Sequence, residues 1–176
     1  MALLRRAFAV LAACLLLGAS AGAAGLEDAV KATYLYKFAP FVSWPQAALQ
    51  PGAFTLCISG ADAVTALLPE AVAGQQIGGK PIVLHRLADT EAPTACQILY
   101  VANSPAAAPQ LGAARGKPIL TVTPDDVADH GIIRLTVIDR HVRFDVDAKL
   151  AGDGGLSISS KLLSLAHAVT PAPGKY

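Results

Sequence analysis

The chain has 176 residues, of which 53% are hydrophobic and 15% are charged, and 14 basic and 13 acidic residues give it a formal net charge of +1. Such an even balance provides no basic field that would attract nucleic acid or anionic lipid. The length suits one domain with one core, and no internal repeat divides it.

The first 25 residues have the three parts of a secretory signal peptide. Arg5 and Arg6 precede an apolar run at residues 7–17, and small residues fill positions 18–25. This order is typical of an exported protein. The apolar run is about half of the ~20 residues that a membrane-spanning helix needs. We therefore predict a signal peptide over residues 1–23 and a periplasmic mature chain with 12 basic and 13 acidic residues, a net charge of −1.

The point of release has two alternatives. Small residues allow cleavage after Ala21 or after Ala23, whereas Leu11-Ala12-Ala13-Cys14 resembles a lipobox in which Cys14 becomes the lipid-anchored first residue. Cys14 is also explained as one more apolar residue of the run, and the three leucines that follow it favour this interpretation. Downstream we predict one domain over residues 26–170 and a flexible tail over residues 171–176.

The mature chain begins with an aromatic segment at residues 30–45, VKATYLYKFAPFVSWP. Its spacing predicts a helix with most aromatic side chains on one buried stripe, which consists of Val30, Tyr34, Phe38, Phe41 and Trp44. Pro40 should kink or end this helix, because proline removes a backbone N–H and clashes with the preceding turn. Tyr36 lies nearly opposite Tyr34, which indicates a second apolar face that must contact something.

Short apolar runs then alternate with helical segments. We predict strands at residues 54–59, 82–85, 97–101 and 118–123, a helix at residues 61–73 with a break near Pro69, and a helix or loop at residues 105–115. This alternation is typical of an α/β layered domain with a mostly parallel sheet and helices on both faces.

The pattern changes in the last part of the chain. Two β-branched runs at residues 131–138 and 142–146 flank Asp139-Arg140-His141, which predicts an antiparallel hairpin. A helical turn is expected at residues 148–151. Residues 160–169 predict a closing helix whose buried face consists of Leu162, Leu163, Leu165, Ala166 and Val169. The whole predicts a single-domain α/β sandwich with a C-terminal hairpin.

The mature chain retains two cysteines, Cys57 and Cys96, each within an apolar, strand-like run. An even pair in an oxidising compartment favours one disulfide. Two buried free thiols are the alternative. A metal site is disfavoured because two cysteines without a nearby pair of histidines provide too few ligands. We expect neither a metal nor a cofactor.

The loop after the first predicted strand is the candidate ligand site. Ser59, Gly60 and Asp62 lie at the carboxyl end of a strand and the start of a helix, where ligands gather in open α/β sheets. A single glycine does not make a dinucleotide fingerprint. Capping of the helix by Ser59 or Asp62 explains the same residues.

Other polar clusters do not predict catalysis. GQQIGGK at residues 74–80 precedes a strand, whereas a phosphate-binding loop follows one. Asp125, Asp126, Asp129 and His130 lack EF-hand spacing and suit the acidic first turn of a helix. No serine lies in a nucleophile elbow. We therefore do not predict an enzyme.

Motifs along the chain, in order, resemble the YfiR family of periplasmic proteins. The resemblance covers residues 29–168 and rests on VKATYLYKFAPFVSWP, FTLCISG, CQILYV, PILTVT, RFDVD and GLSISSKLLSLA. Cys57 and Cys96 occupy the strands where the family pattern carries a cysteine pair. Pro40 departs from the helix-tolerated residue expected in the opening helix, and two mature cysteines leave no second bridge.

The resemblance implies a periplasmic inhibitor of a membrane-bound diguanylate cyclase. Such a protein binds the periplasmic sensory domain of the cyclase and restrains cyclic-di-GMP synthesis, which limits exopolysaccharide and biofilm formation. The resemblance also implies an outer-membrane lipoprotein that sequesters the inhibitor, and an effect of redox state through the disulfide.

Two functions follow as alternatives. An inhibitor predicts an exposed apolar patch and association, with a partner or as a homodimer, through aromatic anchors. Tyr36 and Trp44 are the candidate anchors, and core packing also explains Trp44. A small-molecule binder instead predicts a deep pocket with polar groups from Ser59, Gly60 and Asp62. We expect the inhibitor.

Overall fold

The structure, a computed structural model, describes residues 18–49 and 51–172. The helices in this part of the chain are α1 (Gly18–Lys37), α2 (Ala63–Val72), α3 (Ala107–Ala114), α4 (Ala148–Asp153) and α5 (Ser160–Leu165). Most of the predicted signal peptide, residues 1–17 with Cys14, lies outside the described residues. Release and lipid anchoring therefore stay predictions.

The strands are mostly short. They are β1 (Val42–Ser43), β2 (Phe54–Ser59), β3 (Gln76–Ile77), β4 (Lys80–Arg86), β5 (Ile98–Val101), β6 (Leu120–Pro124), β7 (Ile133–Ile138), β8 (His141–Asp147), β9 (Ser157–Ile158) and β10 (Ala168–Thr170). Two 3₁₀ turns, Ala39–Phe41 and Gln46–Ala48, flank β1.

Within the described residues, one sheet of eight strands has the order β10-β8-β7-β6-β5-β2-β4-β3, and β1 pairs antiparallel with β9. Neighbouring strands of the large sheet are parallel, except in the β7-β8 hairpin and the short β3-β4 pair. The predicted α/β fold, with a mostly parallel sheet and a C-terminal hairpin, is confirmed.

Side chains of the sheet alternate between two cores. In β5, Ile98 and Tyr100 pack in the core shared with α1 and α2, whereas Leu99 and Val101 pack in the core under α3. This division follows from the two-residue period of a strand. Helices therefore cover both faces of the sheet, as predicted.

Pro40 determines how the first helix ends. α1 stops at Lys37, and Pro40 lies at the start of the 3₁₀ turn Ala39–Phe41. A proline is tolerated there because the first N–H groups of a helical turn have no partner within it. The Phe41 N–H donates to the Phe38 carbonyl at 3.0 Å, and the chain then enters β1. The predicted end of the helix near Pro40 is confirmed.

α2 continues past Pro69, so the predicted break is wrong. Pro69 is exposed, while Val64, Leu68 and Val72 are buried at a spacing of four residues. Packing of this stripe, together with the cap at Asp62, holds the helix although proline cannot donate its backbone hydrogen bond.

The closing helix is shorter than predicted. α5 ends at Leu165, and Ala168–Thr170 instead form an edge strand parallel to β8. Leu165 and Val169 are 61% and 39% exposed, so the predicted buried face is wrong at both positions. The backbone hydrogen bond from His167 N–H to the Phe144 carbonyl, at 2.8 Å, starts this pairing. A backbone pairing with β8 therefore outcompetes continuation of the helix.

The hairpin turn between β7 and β8 has two residues. Asp139 and Arg140 have φ angles of +50° and +61°, and His141 already pairs with Ile138. Positive φ at both central positions is the geometry of a type I′ turn, whose twist matches that of the strands. The predicted hairpin is confirmed, with a connection one residue shorter than expected.

Gly131 lies at a close approach of two chain segments. A Cβ there would lie 2.7 Å from the Thr121 carbonyl oxygen. We expect Gly131→Ala to lower the free energy of unfolding by about 2 kcal/mol, because backbone atoms must move apart. Urea denaturation measures this change, and an unchanged midpoint would contradict the close approach. The matched control, Gly112→Ala in α3, adds a Cβ that meets nothing within 4 Å, and it should stabilise by about 0.5–1 kcal/mol.

Candidate partner-docking site

An apolar groove lies between the end of α1, the strand β8 and α5. Its volume is about 240 Å³, and its lining consists of Tyr34, Lys37, Phe38, Phe41, Val142, Arg143, Phe144, Leu162 and Leu165. We call it the α1–α5 groove. It brings together the aromatic segment at the start of the domain and the closing helix at its end.

Aromatic rings form the floor of the α1–α5 groove. Phe38 and Phe144 are 3% and 8% exposed, and their ring centroids lie 5.1 Å apart in an edge-to-face arrangement. Tyr34, one helical turn before Phe38, lies 5.7 Å from the Phe38 ring and 6.2 Å from the Phe144 ring. Such contacts hold the rings in fixed orientations. The floor is therefore formed before any partner arrives.

The rim of the groove is basic. Lys37 and Arg143 are exposed, and Lys161 Nζ lies 5.8 Å from the centroid of the Phe41 ring. No carboxylate is present among the described residues that line the groove. The surface therefore favours an apolar side chain whose neighbours are acidic.

The small β1-β9 pair holds the two sides of the groove together. Val42 pairs with Ile158, and the Ser159 N–H donates to the Phe41 carbonyl at 2.9 Å. Ser159 Oγ also caps α5, because it accepts from the Leu162 N–H at 3.3 Å. Residues 157–161, SISSK, thus position α5 beside the aromatic segment.

The two predicted anchors lie outside the groove lining. Tyr36 is 9% exposed and packs in the core between α1 and the sheet, so it offers a partner little surface. Trp44 is half-buried: its Nε1–H donates to the Gln97 carbonyl at 3.3 Å, and its ring lies edge-to-face on Phe54 at 5.4 Å. Core packing explains most of both side chains.

The predicted ligand loop closes around a helix cap. Asp62 Oδ1 accepts from the Thr65 N–H at 2.7 Å, and Thr65 Oγ1 accepts from the Asp62 N–H at 2.9 Å. The other carboxylate oxygen accepts from the Tyr100 hydroxyl at 2.6 Å. Burial, and then this carboxylate, raise the pKa of Tyr100, so the phenol remains a donor. The capping interpretation is confirmed for Asp62.

Ser59 is the last residue of β2 and Gly60 the first residue after it, at the switch point between β2 and β5. Ser59 is 1% exposed, and its Oγ has no hydrogen-bond partner among the described residues. Gly60 has φ +75°, and a Cβ there would meet Ala102 at 3.2 Å. Its carbonyl accepts from Arg86 Nη1 at 2.8 Å. Ligand binding by Ser59, Gly60 and Asp62 stays a prediction.

The predicted disulfide is confirmed. Cys57 in β2 and Cys96 before β5 are bonded, with Cα atoms 5.6 Å apart. Both belong to the core under α3. The bridge therefore joins β2, an interior strand of the sheet, to the loop that leads into its neighbour β5.

An ionic cluster at the β8-β10 edge was missed from the sequence. Asp145 Oδ2 accepts from Arg134 Nη2 at 2.9 Å, and its Oδ1 lies 3.1 Å from His167 Nδ1. Burial acts to raise the pKa of Asp145, but the hydrogen bonds from Arg134 and His167 outweigh it and hold this pKa below its ordinary value. The sequence predicted His167 inside a helix. The local pattern therefore did not predict that His167 lies beside β8.

Asp145→Asn is expected to lower the free energy of unfolding at neutral pH by about 1–2 kcal/mol, because Arg134 loses a charged acceptor. A carboxylate with a lowered folded-state pKa stabilises the fold above its unfolded pKa, near 3.9, and this contribution is lost as the pH falls through the folded pKa. In urea denaturation, the difference between parent and variant should therefore shrink below about pH 4. A difference independent of pH would contradict the ionic role.

Residues 18–49 and 51–172 contain no group of three or more His, Cys, Asp or Glu side chains placed to hold a metal ion. Two side chains of the polar cluster at residues 125–130 contact other residues: Asn103 Nδ2 donates to Asp126 Oδ2 at 3.4 Å, and His130 Nε2 lies 3.8 Å from Asp147 Oδ2. None of the described helices is both long and apolar enough to span a membrane.

Comparison with known protein families matches residues 28–167 to the family described as YfiR/HmsC-like. The matched range contains both the aromatic segment and α5, the two sides of the α1–α5 groove. No curated protein matches the chain.

Proposed function

This chain belongs to the YfiR/HmsC-like family, and we propose that it restrains a membrane-bound diguanylate cyclase by binding the periplasmic sensory domain of that enzyme. The family is regulatory and periplasmic. Restraint of the cyclase lowers cyclic-di-GMP and with it biofilm formation. The protein itself acts without catalysis.

The α1–α5 groove is the observation that supports this proposal. A regulator that acts by contact needs an accessible surface that the fold does not cover, and Leu165 on the groove rim is 61% exposed. The aromatic floor is packed and fixed, so binding requires little ordering of this protein. The occupant is a segment of the cyclase sensory domain with an apolar side chain that enters the groove and carboxylates that face the basic rim.

The floor and the rim have separate roles in this contact. Burial of the partner's side chain against Phe38, Phe41 and Phe144 provides most of the affinity, because central, desolvated contacts dominate interfaces. Lys37 and Arg143 speed the encounter and set its orientation, since exposed charges act mainly on the association rate. Added salt should therefore slow association more than it speeds dissociation.

A pull-down combined with a deletion strain tests the proposed function. The tagged mature protein is used to capture partners from the periplasmic side of native membranes, and cyclic-di-GMP is measured in cells that lack the protein. We expect capture of a diguanylate cyclase and a rise in cyclic-di-GMP on deletion. Capture of no cyclase, with unchanged cyclic-di-GMP, would refute the proposal.

Sequestration by an outer-membrane lipoprotein extends the proposal. If the lipoprotein occupies the α1–α5 groove, it competes with the cyclase for this protein. The cyclase is then freed from restraint. A homodimer through the same groove would have the same effect. Light scattering of the mature protein alone measures self-association. The same measurement with a soluble form of the lipoprotein shows whether the two proteins form a complex.

Tyr36 and Trp44 remain proposed as secondary anchors through the parts of their rings that stay accessible. Trp44 has the larger accessible part, since Tyr36 is 9% exposed. A double substitution of Tyr36 and Trp44 that leaves both stability and cyclase restraint intact would remove them from the contact.

Small-molecule binding is the second candidate function, and one observation favours it. The Ser59 hydroxyl is buried without a hydrogen-bond partner in the described part of the chain, and buried polar groups usually have one. Ser59→Ala should then weaken regulation without loss of stability. If the variant regulates as the parent does, the orphan hydroxyl has no ligand.

A further inference from the structure

We propose that thiol reagents attack the Cys57–Cys96 disulfide at the Sγ of Cys96, through a surface cavity at the amino ends of β5 and β6. The cavity has a volume of about 260 Å³, and Cys96 is part of its lining together with Ala47 and Lys117.

The two sulfurs differ in their surroundings. Cys57 is 0% exposed and lies within β2, where it pairs with His85 of β4 on one side and Leu99 of β5 on the other. Cys96 is 5% exposed and precedes β5, at the end of an irregular loop. Thiol–disulfide exchange depends on which sulfur a thiolate can reach. The Cys57 side chain lies in the core under α3, so an approach to it would require α3 to move away from the sheet, whereas Cys96 lines the open cavity.

The cavity wall is held in place by a buried amide. The Gln97 side chain is 2% exposed, its Oε1 accepts from the Thr55 N–H at 2.7 Å, and its Nε2 donates to the Ala48 carbonyl at 2.8 Å. These bonds tie the 3₁₀ turn Gln46–Ala48 to the sheet. The opening beside Cys96 is therefore part of the fold and needs no unfolding.

Lys117 gives the cavity a positive charge. A nearby ammonium favours the thiolate form of an incoming thiol, which is the reactive form, and attracts anionic thiols. The reagent class that fits is a small acidic thiol such as glutathione.

The reaction balances as an exchange. The incoming thiolate forms a new S–S bond with Cys96 Sγ, the Cys96–Cys57 bond breaks, and its electron pair leaves on Cys57 Sγ. The proton lost by the incoming thiol is returned to Cys57, which becomes a buried thiol. A second thiol then attacks the external sulfur of the mixed disulfide and releases Cys96 as a thiol. The two reagent thiols are oxidised to a disulfide, and the protein bridge is reduced.

Mass spectrometry of the mixed disulfide tests the proposal. The oxidised mature protein is treated briefly with glutathione, quenched with acid, blocked with N-ethylmaleimide and digested with trypsin, which separates the two cysteines by cleavage after Arg86. We expect about tenfold more glutathione on Cys96 than on Cys57. Equal amounts, or an excess on Cys57, would overturn the proposal.

Blocking the cavity provides the independent check. Ala47→Trp fills the opening from an exposed position and should slow glutathione attachment about fivefold, with an unchanged urea midpoint. Ala108→Trp, at an exposed alanine of α3, is the matched control and should react at the parental rate. If Ala47→Trp also reacts at the parental rate, attack proceeds through unfolding and the cavity has no role.

Discussion

Leu165→Glu is expected to weaken binding to the cyclase sensory domain by about 100-fold and to raise cellular cyclic-di-GMP to the level of the deletion strain. Leu165 is 61% exposed, so the fold does not depend on it. In a docked complex, however, the new carboxylate is desolvated beside apolar groups and faces the partner's acidic residues. It also neutralises part of the basic rim around Lys37 and Arg143.

Val83→Glu is the matched control for this variant. Val83 is an exposed valine, 47% accessible, on β4 near the opposite edge of the sheet. The same charge is added to a comparable surface, so this variant should bind and regulate as the parent does. Calorimetry with the purified sensory domain and cyclic-di-GMP measurements separate binding from expression. Parental affinity in Leu165→Glu, or an equal loss in Val83→Glu, would show that the groove is not the contact.

Cys57→Ala with Cys96→Ala is expected to lower the free energy of unfolding by about 4 kcal/mol. The bridge closes a loop over a sequence separation of 39 residues, and loop closure of this length accounts for most of the loss through the entropy of the unfolded chain. For a domain of this size the melting temperature should fall by roughly 10 °C. Thermal and urea denaturation under oxidising conditions measure both quantities.

Reduction provides the control for the disulfide. The parent with dithiothreitol should melt near the double variant, because both then lack the bridge, and the double variant should be insensitive to the reagent. Cyclase binding by the double variant, measured well below its melting point, then shows whether redox state acts on binding only through stability. A double variant that melts like the oxidised parent would mean that the bridge contributes nothing to stability.

Local pattern was sufficient for the central strands. Residues 54–59 were predicted as a strand and form β2, because an apolar run of this length between turn residues is typical of a buried strand and too short for most buried helices. The hairpin followed from two β-branched runs around Asp139 and Arg140, and Pro40 indicated the end of α1. In these places the backbone preference and the apolar period favour the same local structure, so that structure forms.

The C-terminal region shows where local pattern fails. Residues 160–169 fit a helix by apolar spacing, yet the chain leaves the helix at Leu165 and pairs with β8. Apolar spacing over ten residues carries no information about the unpaired edge of a strand that forms elsewhere in the chain. The same pairing with β8 brings His167 beside Asp145. No local sequence pattern predicts their contact.

Composition, periodicity and spacing by themselves determined the class of fold and the aromatic segment, because both depend on neighbours along the chain. The disulfide was favoured only by the even number of cysteines and the oxidising compartment. Which of the apolar side chains are exposed was decided by the tertiary structure: Tyr36, predicted as an anchor, is buried, while Leu165, predicted in the core, is exposed. Exposure depends on what packs against a side chain from distant segments. The α1–α5 groove exists only because β8 and α5 fold back beside α1 and cover part, but not all, of its aromatic stripe.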